Sequence, residues 1–243
     1  MTNSQTSTIL WAYISPFIFV FGLTGNILSL IVLNQPSIRR STISLALRLI
    51  AFFDCIILLL GLTRHWGKYA LSYDIRNSNS AVCKLHMFLV YSALDSSVWN
   101  LAALNVGRLI AVIQPLKANS IFTQRRIWLA AFIITSCAMA LNSHVFVTRG
   151  NAFSGDGNNC GFTSLSAERF WKNYLPYIVL IIYVLGPFVS FSICNSIIIF
   201  KVTPSFAKIH GSFYKKKKIF TIGAPRSQRK IASECSKGNE GSP

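Results

Sequence analysis

The sequence predicts an all-α, polytopic membrane helix bundle, and three observations carry that prediction. Hydrophobic residues make up 52% of the 243 positions and charged ones only 13%, with a mean hydropathy of +0.46, which leaves too little polar surface for a water-facing exterior. Apolar runs recur five times, each near the roughly 20 residues that a helix needs to cross a hydrocarbon core of about 30 Å. The runs are unbroken and lack two-residue alternation, which selects helices over a closed β-barrel.

The first run, 9–33, has no charged side chain. It exceeds the roughly 7–15 apolar residues of a cleavable signal, and no basic segment precedes it, so residues 1–8 read as an N-terminal segment and 9–33 as a retained span. The second, 43–62, is apolar except for Arg48 near its start and Asp54 within it. The third, 82–113, carries Lys84, Asp95 and Arg108; at 1.5 Å per residue it is about 48 Å long and must tilt or project from the bilayer. The fourth, 127–147, and the fifth, 174–200, contain no Asp, Glu, Lys or Arg. Pro187 lies deep in the fifth and predicts a kink, because proline removes an amide donor and crowds the preceding turn.

Residues 201–243 form a basic tail that includes Lys215 to Lys218 and few aliphatic side chains, a composition that reads as disordered. Its longest stretch free of Lys, Arg, Asp and Glu runs only from Ile219 to Pro225, far below a span. With the N-terminus outside, Arg39, Arg40, Arg48, Arg108, Lys117, Arg125 and Arg126 fall on the inner side. Arg64, Lys68, Arg76, Lys84, Arg149, Arg169 and Lys172 then fall on the outer side, a tie that the basic tail breaks in favour of a cytosolic C-terminus. An odd number of spans then places Met1 outside.

A charged carboxylate at mid-helix costs about 2.5–3.5 kcal/mol on insertion scales, so Asp54 is expected to face the bundle interior. Asn26 and Asp54 lie about 12 and 18 Å from the same membrane face, within side-chain reach. Together with Ser97 they offer oxygen ligands for a hard cation, or they share hydrogen bonds. Cys55, Cys137 and Cys194 fall inside spans, where small buried thiols are common. Cys83, at the mouth of the third span, and Cys160, in the 148–172 loop, lie on one common side and form the best disulfide pair. His65, His86, His144 and His210 have no metal-ligand spacing, and no nucleophile elbow or phosphate loop is present. These absences argue against a zinc site and an enzyme, and the five spans argue against a nucleic-acid partner for the lysine run.

Several motifs in order resemble those of the rhodopsin-like (class A) G-protein-coupled receptors over residues 9–201. Gly25-Asn26 is similar to the family's Gly-Asn in span one, and Ala51 with Asp54 to its Leu-Ala-x-x-Asp, with Ile50 in place of leucine. Cys83 and Arg108 have the spacing of the family's outer cysteine and inner arginine. Arg108, Pro115 and Leu116 fit Arg-Tyr-x5-Pro-Leu, with Leu109 for tyrosine; Pro187 and Cys160 fit the span-five proline and the loop cysteine. Gly61-Leu62 with Trp66, the stretch from Cys83 to Tyr91, Asp95, and Leu141 to Phe146 are similar to invertebrate neuropeptide receptors. Amine receptors place an acid where Val90 stands, which points away from an amine ligand.

The resemblance implies a plasma-membrane receptor that couples an extracellular ligand, a peptide, to a heterotrimeric G protein, and it leaves room for receptor oligomers. It implies a sodium-linked polar network at Asn26, Asp54 and Ser97, a G-protein contact at Arg108, and a ligand-pocket position at Asp95. The family's acid before the arginine is Gly107 here, and Asn195 stands where a tyrosine is common. Spans six and seven have no counterpart in the sequence, so the chain is expected to be truncated and deficient in signalling. The competing expectation is a five-helix transporter or channel subunit whose polar path is lined by Asp54, Asp95 and Arg108.

Overall fold

The computed structural model describes residues 8–153 and 160–203. Among these, five helices are long and apolar enough to cross a membrane: α1 (Trp11–Leu33), α2 (Thr42–Ala70), α3 (Ser80–Ile113), α4 (Gln124–Thr148) and α5 (Leu165–Thr203). Expectations about the lysine run 215–218, His210 and most of the tail lie outside the described residues. The chain divides into two compact units, Met1–Asn195 and Ser196–Pro243. All packing considered below lies within the first; the second is described only over its helical residues 196–203.

The helices outrun the apolar stretches that mark them, because caps and ion pairs extend helical hydrogen bonding into polar sequence. α2 continues past Leu62 to Ala70, and α5 begins at Leu165 rather than Tyr174. At the start of α5 the Ser164 hydroxyl accepts from the Ala167 amide at 3.2 Å, Glu168 sits in the first turn, and Lys172 pairs with it at 2.6 Å. The Asn79 side chain caps α3 by accepting from the Val82 amide at 2.8 Å. In α5 a π-helical turn, Leu180–Leu185, lies directly before Gly186-Pro187, where the proline has no amide to continue the ladder.

The molecule is apolar outside and partly polar inside. Phe17, Phe21, Phe132 and Phe188 are each about two-thirds or more exposed, whereas Ser92, Asp95, Ser96, Ser97 and Asn100 of α3 are buried. In water such an apolar exterior would drive association; in lipid it is the solvated face, and small or polar residues form the helix interfaces. Spacing of three to four residues puts Ser92, Asp95, Ser96 and Asn100 on one side of α3. That helix packs against both α2 and α4 and is the axis of the bundle.

Between α3 and α4 a short helix, Pro115–Ile121, turns the chain at the end that carries Arg108. At the opposite end a two-residue antiparallel ladder joins β1 (Arg149–Gly150) to β2 (Gly161–Phe162), with Arg149 opposite Phe162 and Gly150 opposite Gly161. Both glycines are required there. Gly150 has φ +151°, and a Cβ on it would come within 2.9 Å of Ser80 Oγ, while one on Gly161 would meet the Ala152 Cβ at 2.4 Å.

Candidate functional site

The hairpin is tied to the first turn of α3 by a disulfide between Cys83 and Cys160, with Cα atoms 5.4 Å apart. Cys83, Met87 and Val145 form a buried cluster beneath it, against which Phe88, Tyr91 and Trp171 pack. The Trp171 indole donates to the Thr148 hydroxyl at 2.9 Å, which orients its ring. The Arg149 guanidinium then lies 3.9 Å from the Trp171 ring centre and 4.1 Å from that of Phe162, a cation–π arrangement. Burial lowers the Arg149 pKa to about 10, with Tyr91 acting to raise it and Arg76 to lower it further, so the side chain remains a cation at neutral pH. Its Nε is buried without a hydrogen-bond partner among the described residues.

The two described acids of this end are already paired. Asp74 takes Arg64 at 2.7 Å and Arg76 at 2.9 Å, and Glu168 takes Lys172. Burial alone would raise the Asp74 carboxyl, but hydrogen bonds from Arg76 and Arg64 outweigh it and hold the group well below the usual carboxylate range. Arg149 and Trp171 were not singled out by any spacing in the sequence. They lie on either side of a loop, and only the ladder and the disulfide bring them together.

In the middle of the bundle the expected polar trio is only partly assembled. The Ser97 hydroxyl donates to Asp54 Oδ1 at 2.6 Å, joining α3 to α2. Asn26 instead donates to the Gly22 carbonyl of its own helix at 2.9 Å and bonds neither partner among the described residues. Helical geometry offers an asparagine amide the carbonyl four residues back, so a cross-helix bond is not its only outlet. Asp54 and Ser97 supply oxygen donors alone, the chemistry a hard cation such as sodium takes, but from two side chains only. Groups of three or more His, Cys, Asp or Glu that could hold a metal are absent among the described residues.

Asp95 is buried at 7% exposure and accepts from the Asn142 amide, which also donates to the Ala138 carbonyl at 2.9 Å. Asp95 thereby joins α3 to α4. Replacing Asn142 by Leu is expected to destabilise the protein by about 1–3 kcal/mol, because it leaves a buried acceptor short of a donor. Thermal unfolding in detergent measures the loss, and combining it with Asp95→Leu should recover most of it, since removing both polar partners removes the unmet demand.

At the far end of α3, Arg108 is exposed and makes no hydrogen bond or ion pair among the described residues. The position before it is Gly107, on which a Cβ would meet the Phe122 ring at 3.2 Å. The glycine therefore both removes the family's acid and lets that ring lie on α3. Arg48 of this end, by contrast, reaches Asn34 Oδ1 at 3.1 Å and the Arg39 carbonyl at 3.2 Å. Arg108 also lines a cavity of about 670 Å³ bounded by α2, α3, the short helix and α4. Neither Asp54 nor Asp95 lines it, and the two acids bond different partners, Ser97 and Asn142.

The profile described as "7 transmembrane receptor (rhodopsin family)" matches residues 25–231, past residue 201 where the recognisable motifs stop. The human growth hormone secretagogue receptor type 1 is 33% identical over 136 residues, which is 55% of this chain and 36% of the receptor. The human cysteinyl leukotriene receptor 2 is 26% identical over 187 residues, 75% of this chain and 51% of the receptor. The mouse neuromedin-U receptor 1 is 32% identical over 110 residues, 45% of this chain and 26% of the receptor. The chain thus spans about half or less of the length of these relatives. The matched family is one of receptors rather than enzymes, and with five apolar helices the protein is a multi-pass membrane protein. With most of its length covered by the profile, this chain belongs to the rhodopsin family of seven-transmembrane receptors.

Proposed function

We propose that the chain serves as a peptide-type receptor that takes an extracellular ligand at its disulfide end and engages a heterotrimeric G protein at its Arg108 end. The observation that carries this reading is the build of α3. One 34-residue helix, about 51 Å long by its rise, holds a disulfide-locked aromatic and cationic cage at one terminus and an unpaired arginine at the other. The names of the relatives, receptors for a growth hormone secretagogue and for neuromedin-U among them, support a peptide-type ligand. An acidic group on that ligand suits Arg149, whose neighbours are rings rather than carboxylates.

In this reading the N-terminus is extracellular, Asp54 and Ser97 form the polar link between the two ends, and sodium, where bound, is held by their oxygens and supplies positive charge opposite Asp54. Arg108 is a permanently charged, forked donor, suited to backbone carbonyls of a cytosolic partner. Association with a second receptor copy is a further expected property.

The test uses cells that express the Met1–Pro243 polypeptide by itself. An N-terminal epitope is expected to be reached by antibody on intact cells; labelling only after permeabilisation refutes the orientation. Membranes titrated with fluorescent synthetic peptides bearing free or amidated C-termini are expected to favour the free acids, and Arg149→Gln is expected to remove that preference.

A further inference from the structure

We infer that the cavity at the Arg108 end holds one acyl chain of an anionic phospholipid, with the lipid phosphate seated between Arg108 and Arg126. This depends on the helices lying in a bilayer and not on the identity of any extracellular ligand. The volume, about 670 Å³, lies within the roughly 300–1,000 Å³ of sites that hold small organic ligands. It exists because small residues face it where larger ones would close it: Ala46 of α2, Ala103, Gly107 and Ala111 of α3, and Ala130 and Ala131 of α4. The Phe122 ring lies over Gly107 and lines the cavity with it.

Water is a poor occupant for the apolar part of such a space, because a buried water needs two to four polar partners. Hydrocarbon is the adjoining medium at this depth. Thr42 opens α2, Arg126 lies in the first turn of α4, and Arg108 stands five residues before the end of α3, so the mouth is at the level of lipid headgroups and the interior at the level of tails.

Charge selects the headgroup. Every acid among the described residues lies elsewhere: Asp54 bonds Ser97, Asp95 bonds Asn142, and Asp74 and Glu168 belong to the disulfide end. Arg126 donates to the Ser120 and Ile121 carbonyls at 3.2 and 3.3 Å, which fixes its position against the short helix without neutralising it. Arg108 has no ion pair or hydrogen bond among the described residues, and the position before it carries no acid. Two unneutralised guanidiniums at the mouth of an apolar cavity match an anionic head on an aliphatic tail. A lipid bound there would brace the short helix Pro115–Ile121 against α3 and set the surroundings of Arg108.

The test places the full chain in nanodiscs of phosphatidylcholine doped with photoreactive phosphatidylserine or photoreactive phosphatidylcholine, the diazirine on the acyl chain, and maps the labelled peptides. Phosphatidylserine label is expected on the segments around Ala46, Ala103 and Ala130, at least several-fold above the matching phosphatidylcholine label. Ala103→Phe with Ala130→Phe, both at exposed positions lining the cavity, is expected to remove it. Arg108→Gln with Arg126→Gln is expected to equalise the two lipids. The wild-type map decides by itself should a variant fail to fold: label spread evenly over the outer faces of α1 and α5, or equal labelling by both lipids, overturns the proposal. Competition by free palmitate at equal concentration, stronger than by phosphatidylserine, would assign the cavity to a free fatty acid and overturn the phospholipid source.

Discussion

Cys83→Ala is expected to lower stability by about 2–5 kcal/mol, the usual effect of losing a native disulfide. The bond spans 77 positions of sequence. It is also, among the described residues, the one covalent tie on a hairpin whose ladder is two residues long on each strand, too short to hold itself in place. Alanine is the informative replacement because Cys83 is fully buried, and a serine would add an unmet hydroxyl. Cys160→Ala and the double variant should match the single variant within about 0.5 kcal/mol, since all three lose the same bond. Thermal unfolding in detergent, with and without reductant, measures this; a double variant twice as destabilised as either single one would mean that packing rather than the bond carries the effect. Loosening the hairpin should also free Arg149 from its rings, seen as a change in Trp171 fluorescence.

The second large effect is expected at Asp74. Its side chain is 9% exposed and stands between two guanidiniums that are 11% and 18% exposed. Asp74→Asn keeps the shape but leaves two partly buried cations facing each other, and breaking such a group by removing one partner costs about 3–5 kcal/mol. Arg76→Gln should cost less, because Arg64 and Asp74 remain a pair. The pH dependence follows from the same contacts. A carboxyl held below its ordinary value adds stability that is fully present above the unfolded pKa of about 3.9 and is lost as pH falls through the lower folded value. The Asp74 contribution should therefore be constant from about pH 5 upward and disappear only in strong acid. Unfolding temperatures of wild type and Asp74→Asn compared across pH test this, and a difference that already narrows between pH 7 and pH 5 would contradict it.

The span pattern was legible without coordinates because lipid imposes it. Backbone groups in hydrocarbon must be satisfied within a helix, so apolar runs such as 9–33 and 127–147 announce helices directly. Their ends were less legible. Residues 63–70 and 165–173 carry Arg64, Lys68, Glu168, Arg169 and Lys172, which lower hydropathy without breaking the helix, and the Ser164 cap and the Glu168–Lys172 pair that sustain α5 are local hydrogen-bonding facts. Cys83 and Cys160 could be paired from sequence since the other cysteines lie within spans or in the tail. Asp95 and Asn142 could each be noticed, but not as partners: they are 47 positions apart, and their meeting depends on how α3 and α4 are rotated.

Sequence alone determined that this protein is a helical membrane bundle with receptor motifs, because burial in lipid and the covalent order of Gly25-Asn26, Asp54, Cys83, Arg108 and Pro187 are properties of the chain itself. Only the tertiary structure decided which polar groups act together. Asp54 meets Ser97 while Asn26 turns back to its own helix; Arg149 is caged by Trp171 and Phe162; Gly107 admits Phe122, and Arg108 stands beside an open cavity. The reason is geometric. Each of these outcomes depends on helix rotation and loop closure, which bring together residues from separate elements at ångström precision, and hydropathy carries no information at that scale.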